Sequence, residues 1–209
     1  MDKITKYLDT KSEFVERGMI IKSPYVSALQ EARNFTGRNS LTGEKNKNAS
    51  HGSWLGAVGY MIVLNHIGNK FNNQGKENRL KDILKIIDGT NSFVKALVYF
   101  SDLSYEKILA LYSLRCSFVH DFFLFNINEK NKILTHHFVV TQGSGEIVTL
   151  PNIKWDGDLK NRNVNATIVN LEALGDLVEK IHKELLKLAN SENLKLNKGV
   201  RLESLTYKK

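Results

Sequence analysis

Apolar residues recur at helical spacing along most of this 209-residue chain. Ser23-Pro24 reads as an N-cap followed by a proline in the first turn, where a missing N–H does no harm, and it opens a helix over about 24–35. A second helix is predicted over about 53–71, with Trp54, Val58, Met61, Ile62, Asn65 and Phe71 following its period. Gly52, Gly56 and Gly59 dilute its propensity, and small residues on one helical side predict close packing by a neighbouring element. Short helices follow over about 79–88, which Gly89 stops, and over about 91–100. Ser104 caps a helix running to about Phe123, with Glu106 in the first turn, where the helix dipole favours an acid. Ile108, Leu111, Arg115, Phe118, Val119 and Phe122 form its more buried side. The last helix, about 166–193, has an unbroken seam of Ile168, Leu171, Leu174, Val178, Ile181, Leu185 and Leu188.

Two segments interrupt the helical period. Residues 36–52 are polar and glycine-containing and read as a mobile loop. Residues 132–150 turn to β-formers, Ile133 to Val140 and Glu146 to Leu150, around the turn signal Thr141-Gln142-Gly143-Ser144-Gly145. They predict a β-hairpin supported by the bundle, followed by a polar loop over 151–165. The expected fold is therefore mainly α, a bundle of about five to six helices with one inserted β-hairpin at about 132–150. One domain spans 1–193, and 194–209 is a basic tail.

Composition narrows the function. Apolar content of 42% with 25% charged residues suits a packed globular domain. No run reaches the ~18 apolar residues of a membrane span, and no apolar signal core opens the chain, so a cytoplasmic protein without membrane contact is expected. Cys116 is the only cysteine, which excludes an intrachain disulfide and a zinc site built on cysteine pairs. The net charge of +8 favours an anionic partner, most commonly nucleic acid. Half of that surplus lies in the tail, in Lys195, Lys198, Arg201, Lys208 and Lys209 against Glu203.

The candidate chemistry sits in one helix. Arg115 is a permanent cation whose planar fork matches phosphate oxygens, and His120 can gain or lose a proton near neutral pH. Five positions on a helix separate the two by about 140° once a full turn is removed. One copy cannot aim both at the same atom. Two copies crossing at a two-fold axis can bring both pairs into one cleft, so a homodimer is the natural geometry.

The run Leu114-Arg115-Cys116-Ser117-Phe118-Val119-His120, near the end of a bundle helix, resembles the Arg-x4-6-His signature of HEPN domains. The resemblance implies an all-α domain of four to five helices acting as a metal-independent ribonuclease of toxin–antitoxin or antiviral type. It further implies an RNA substrate, no cofactor, and an antitoxin or other regulatory protein as partner. Arg115 and His120 carry over as the catalytic pair. The RNA 2′-hydroxyl would attack its own phosphorus, leaving a 2′,3′-cyclic phosphate and a 5′-hydroxyl. His120 would move the proton, Arg115 would stabilise the equatorial oxygens, and DNA would survive. Tyr112, Cys116, Ser117 and Asp121 are positioned to support the pair. The family's usual residue after the arginine is polar, most often Asn. Cys116 is a weak hydrogen-bond former, and Ser117 lies one step further around the helix.

Two other readings stand beside this one. A dimeric helical interaction module would keep the fold and use Arg115 and His120 to tie the dimer. A metal-dependent phosphohydrolase would use His120-Asp121, with His51 or His66 upstream and Asp156 downstream. His136 and His137 alternate across a strand and cannot share an ion, so one should face the bundle and the other solvent. His182 is expected at the rim of the last helix and Trp54 in the core. Trp155, in a polar loop, is the candidate to stack RNA bases, with Lys195, Lys198 and Arg201 reaching phosphates.

Overall fold

The computed structural model describes residues 3–16, 18–87, 89–120, 123–161 and 164–200, with the side chains of all of these except Glu16, Gln74 and His120. The chain begins with helix α1 (Lys3–Leu8) and a short antiparallel ribbon of β1 (Phe14–Glu16) and β2 (Met19–Ile21). Helices α2 (Pro24–Phe35) and α3 (Trp54–Lys70) follow, then β3 (Phe71–Asn72), α4 (Glu77–Ile87), α5 (Ser92–Phe100) and α6 (Tyr105–His120). The C-terminal part holds β4 (Phe125–Asn126), β5 (His136–Thr141), β6 (Val148–Thr149), β7 (Thr167–Asn170), α7 (Leu171–Asn190) and β8 (Lys195–Leu196).

Side chains cap several of these helices by satisfying backbone N–H groups that lack intrahelical partners. Ser23 accepts from Val26 N at 3.0 Å, Asn91 from Val94 N at 3.2 Å, and Asn170 from Ala173 N at 3.1 Å. Helix α3 is the centre of the molecule and packs against α2, α5, α6 and α7. Its small residues permit that. A Cβ on Gly56 would overlap the Thr36 side chain at the end of α2, and one on Gly68 would overlap the Ser92 carbonyl of α5. Among the described residues, no helix is long and apolar enough to cross a membrane.

A mainly helical bundle with one hairpin is not what the chain forms. Among the described residues there are seven helices and three sheets, of two, two and four strands, a mixed α/β fold. The strands expected to pair as a hairpin do not pair with each other. The four-stranded sheet runs β4-β5-β7-β6, so β7 lies between β5 and β6. It is parallel to β5, from Phe138↔Thr167 to Thr141↔Asn170, and antiparallel to β6.

The error has an identifiable cause. Ile168 stands three positions before Leu171 and so fits the helical seam, but it belongs to the β-branched run Thr167-Ile168-Val169. Asn170 ends that strand and caps α7, which begins five residues later than its periodicity suggested. The turn at 141–145 is tied to this junction rather than to a facing strand. Asn170 donates to the Gly143 carbonyl, and Gly143 N donates to Glu172. The start of the basic tail is also folded. Leu194 is buried, and β8 pairs with β3 through Phe71↔Leu196 and Asn72↔Lys195.

Candidate functional site

Arg115 lies half-buried on α6, with Tyr112 and Cys116 half-buried beside it. Tyr112 and Cys116 are one helical turn apart and share a hydrogen bond. The Tyr112 phenol is pushed up to about 12, chiefly by burial and then by Cys116, while the charge of Arg115 pulls it the other way. This face therefore holds a permanent cation next to a phenol that keeps its proton at neutral pH. Both are donors, and both suit an anionic oxygen.

Ser117 takes no part in such a surface. It is 2% exposed, and its hydroxyl lies 2.8 Å from the Phe125 carbonyl and 3.1 Å from that of Ser113. It fastens β4 to α6. His120 is the last residue of α6; its side chain and all of Asp121 lie outside the described residues. Beside Arg115's helix runs α3, with Trp54 stacked on Phe118 at 3.9 Å between ring centroids. Both helices carry exposed apolar side chains. Leu55 and Ile62 are 57% and 44% exposed on α3, and Val119 is 37% exposed on α6.

The residues proposed to touch RNA are scattered. Trp155 is 3% exposed, its indole N–H donates to the Asp158 carbonyl at 2.9 Å, and it lines a partly open cavity. It is not an open stacking platform. Lys195 and Lys198 are exposed at the β8 end of the molecule, and Arg201 lies outside the described residues. Among the described residues, no three His, Cys, Asp or Glu side chains cluster to hold a metal ion. His51 is engaged with the Thr36 carbonyl at 2.8 Å, His66 sits half-buried on α3, and Asp156 is exposed. His136 is buried, and His137 does not simply face solvent: it is half-buried, with its ring 5.8 Å from that of Trp155.

Sequence reasoning missed the most strongly built polar cluster. Arg33 on α2 is 1% exposed and holds Glu179 of α7 in a two-pronged ion pair at 2.8 and 2.7 Å. Tyr60 donates to the same carboxylate at 3.0 Å, and Arg33 donates onward to the carbonyls of Ser40 and Leu41. Arg38 and Lys45 meet Asp176 at 2.7 and 2.9 Å. Residues 36–52, expected to be a mobile loop, are thus tied to α7 by two arginines and a lysine. His182 is buried rather than at a rim, with Nδ1 2.8 Å from the Tyr25 hydroxyl. Burial, then the charge of Arg33, lowers its pKa to about 4. The only sequence signal for this cluster was charge at interior helical positions of α2 and α7. All three nitrogens of Arg33 donate to protein oxygens, so the Arg33–Glu179 pair is committed to holding α2, α7 and the intervening loop together.

Neither a family model, nor a curated protein, nor a solved structure matches the chain. Geometry and chemistry therefore carry the functional reading.

Proposed function

We propose that the chain is a homodimeric, metal-independent endoribonuclease whose reacting residues are Arg115 and His120. The observation that carries this reading is the half-buried Arg115 beside a protonated Tyr112, on the helix that ends in His120. A partly desolvated guanidinium binds a phosphodiester more strongly than a solvated one, because the surrounding dielectric is lower. Leu55, Ile62 and Val119, exposed on α3 and α6, are the apolar side chains that a second copy would cover. With both copies in place, Arg115 stabilises charge on the equatorial phosphate oxygens. His120 transfers the proton between the 2′-hydroxyl and the leaving 5′-oxygen.

The test is RNA incubated with wild type, Arg115→Ala and His120→Ala in EDTA. Wild type should cut RNA, spare DNA and leave 2′,3′-cyclic phosphate ends, and each variant should lose at least about a hundredfold in rate. Intact RNA with wild type, or equal cutting by the variants, removes the proposal. Toxicity on expression that either substitution relieves is expected from a toxin or defence nuclease.

One observation favours a second reading, a non-catalytic dimeric interaction module. The position after Arg115 holds a thiol paired with Tyr112 rather than an amide turned to a substrate. That reading predicts a dimer that leaves RNA whole. Substituting Ile62→Glu should split the dimer under either reading.

A further inference from the structure

A partly open cavity lies away from Arg115, between the first turns of α6 and the four-stranded sheet. It has a volume of about 180 Å³. A cavity near 150 Å³ accommodates one benzene-sized ring, so this one fits a single ring with a small substituent. Leu109, Ile133, Leu150, Pro151 and the ring of Trp155 form its walls. Its polar groups are few, and most are already committed. The Trp155 N–H is given to the Asp158 carbonyl. His136 has one ring nitrogen on the Thr167 hydroxyl at 2.9 Å and the other on the Ile133 carbonyl at 3.1 Å. Burial, with the charge of Lys154 added, lowers the His136 pKa to about 4, so at neutral pH it offers a ring face and no charge.

Lys154 is the exception. It lines the cavity, and among the described residues it has no ion-pair partner. Burial of part of the side chain against the cavity lowers its pKa, the direction expected of an ammonium without a counter-charge, although the residue as a whole is exposed. Glu106, the one acid at the cavity, stands in the first turn of α6, where the helix dipole stabilises it, and is not paired with Lys154. A ligand here meets apolar walls, one ring face above all, and a single ammonium. One ammonium with an acid nearby suits a monoanion and disfavours a dianion.

We infer that this cavity binds a small aromatic monocarboxylate, with its ring against Trp155 and its carboxylate on Lys154. The site is independent of Arg115 and His120, and its test involves no RNA.

The chain has two tryptophans, so in a Trp54→Phe variant the fluorescence reports Trp155 alone. That variant is titrated with benzoate and with benzyl alcohol, a neutral molecule of the same size. Benzoate should quench saturably and bind at least about tenfold more tightly, the difference a charge-assisted contact supplies. Lys154→Gln should erase that preference and leave the benzyl alcohol affinity unchanged. Leu150→Phe, which fills the cavity, should weaken both ligands in protein whose circular dichroism matches wild type. The exposed position of Lys154 makes its substitution decisive even if Leu150→Phe fails to fold. The inference is overturned if neither ligand binds by about 10 mM. It is also overturned if benzoate shows no advantage, or if Lys154→Gln leaves its affinity intact.

Discussion

Replacing Glu179 with Gln tests what the buried Arg33–Glu179 ion pair contributes to the fold. The substitution keeps the side-chain shape and removes the charge that pairs with Arg33. Arg33 stays 1% exposed and retains only the carbonyls of Ser40 and Leu41 and one amide oxygen. A buried cation stripped of its partner costs about 3–5 kcal/mol, because its desolvation is no longer offset. Against a total stability of about 5–15 kcal/mol, that is about a fifth of the whole at the least. For a domain of this size it corresponds to a fall of about 10 °C in Tm. The measurement is urea and thermal unfolding followed by circular dichroism. Arg33→Met/Glu179→Leu removes both charges at once and should recover most of the loss, since neither ion is left uncompensated. The loop at 36–52 should become protease-sensitive near Leu41 in Glu179→Gln and remain protected in wild type. Lys107→Ala, which breaks the exposed pair with Glu146, serves as the control and should leave the midpoint where it was. A loss below about 1 kcal/mol in Glu179→Gln would refute the reasoning, as would a double variant less stable than either single one.

Two further expectations concern pH and packing. His136 and His182 titrate at about 4 in the folded chain, against about 6.5 when unfolded, chiefly through burial in both. The unfolded chain therefore takes up protons first, and stability should fall as pH drops from about 6.5 toward 4, by at most about 3 kcal/mol per histidine. A Tm that stays flat across that window would contradict this, and His182→Gln should reduce the slope. Gly68→Ala would drive a Cβ into the Ser92 carbonyl and force α3 and α5 apart, costing about 3 kcal/mol in urea unfolding. Wild-type stability in that variant would mean the two helices are not in close contact.

Six of the helices were legible because each carries apolar residues at helical spacing, and two of them, α2 and α6, also showed a capping serine. The helix read from Ser23-Pro24 runs Pro24–Phe35, and the one read from Ser104 runs Tyr105–His120. What escaped was pairing between distant segments. Strands of two to four residues, such as β3, β4 and β8, are too short to show a period, and each exists only because a partner lies beside it. Ile168 illustrates the ambiguity, since one residue satisfies both the helical seam and a β-branched strand. The candidate site was half legible. Arg115 stood out as a cation in an apolar stripe and is half-buried. The Tyr112–Cys116 contact depends on side-chain direction as well as spacing, and Ser117 could be recognised as structural only once β4 was seen against it.

The central claim is that RNA cleavage occurs at a site shared by two chains. Its most direct test mixes Arg115→Ala and His120→Ala proteins, lets subunits exchange, and measures RNA cleavage in EDTA. Each variant alone has lost both arginines or both histidines from the shared cleft, while the mixed dimer retains one arginine and one histidine. The account predicts that the mixture cuts RNA although neither component does. If wild type leaves RNA whole, or if the exchanged mixture stays as inactive as its parts, the claim of a shared catalytic cleft is wrong.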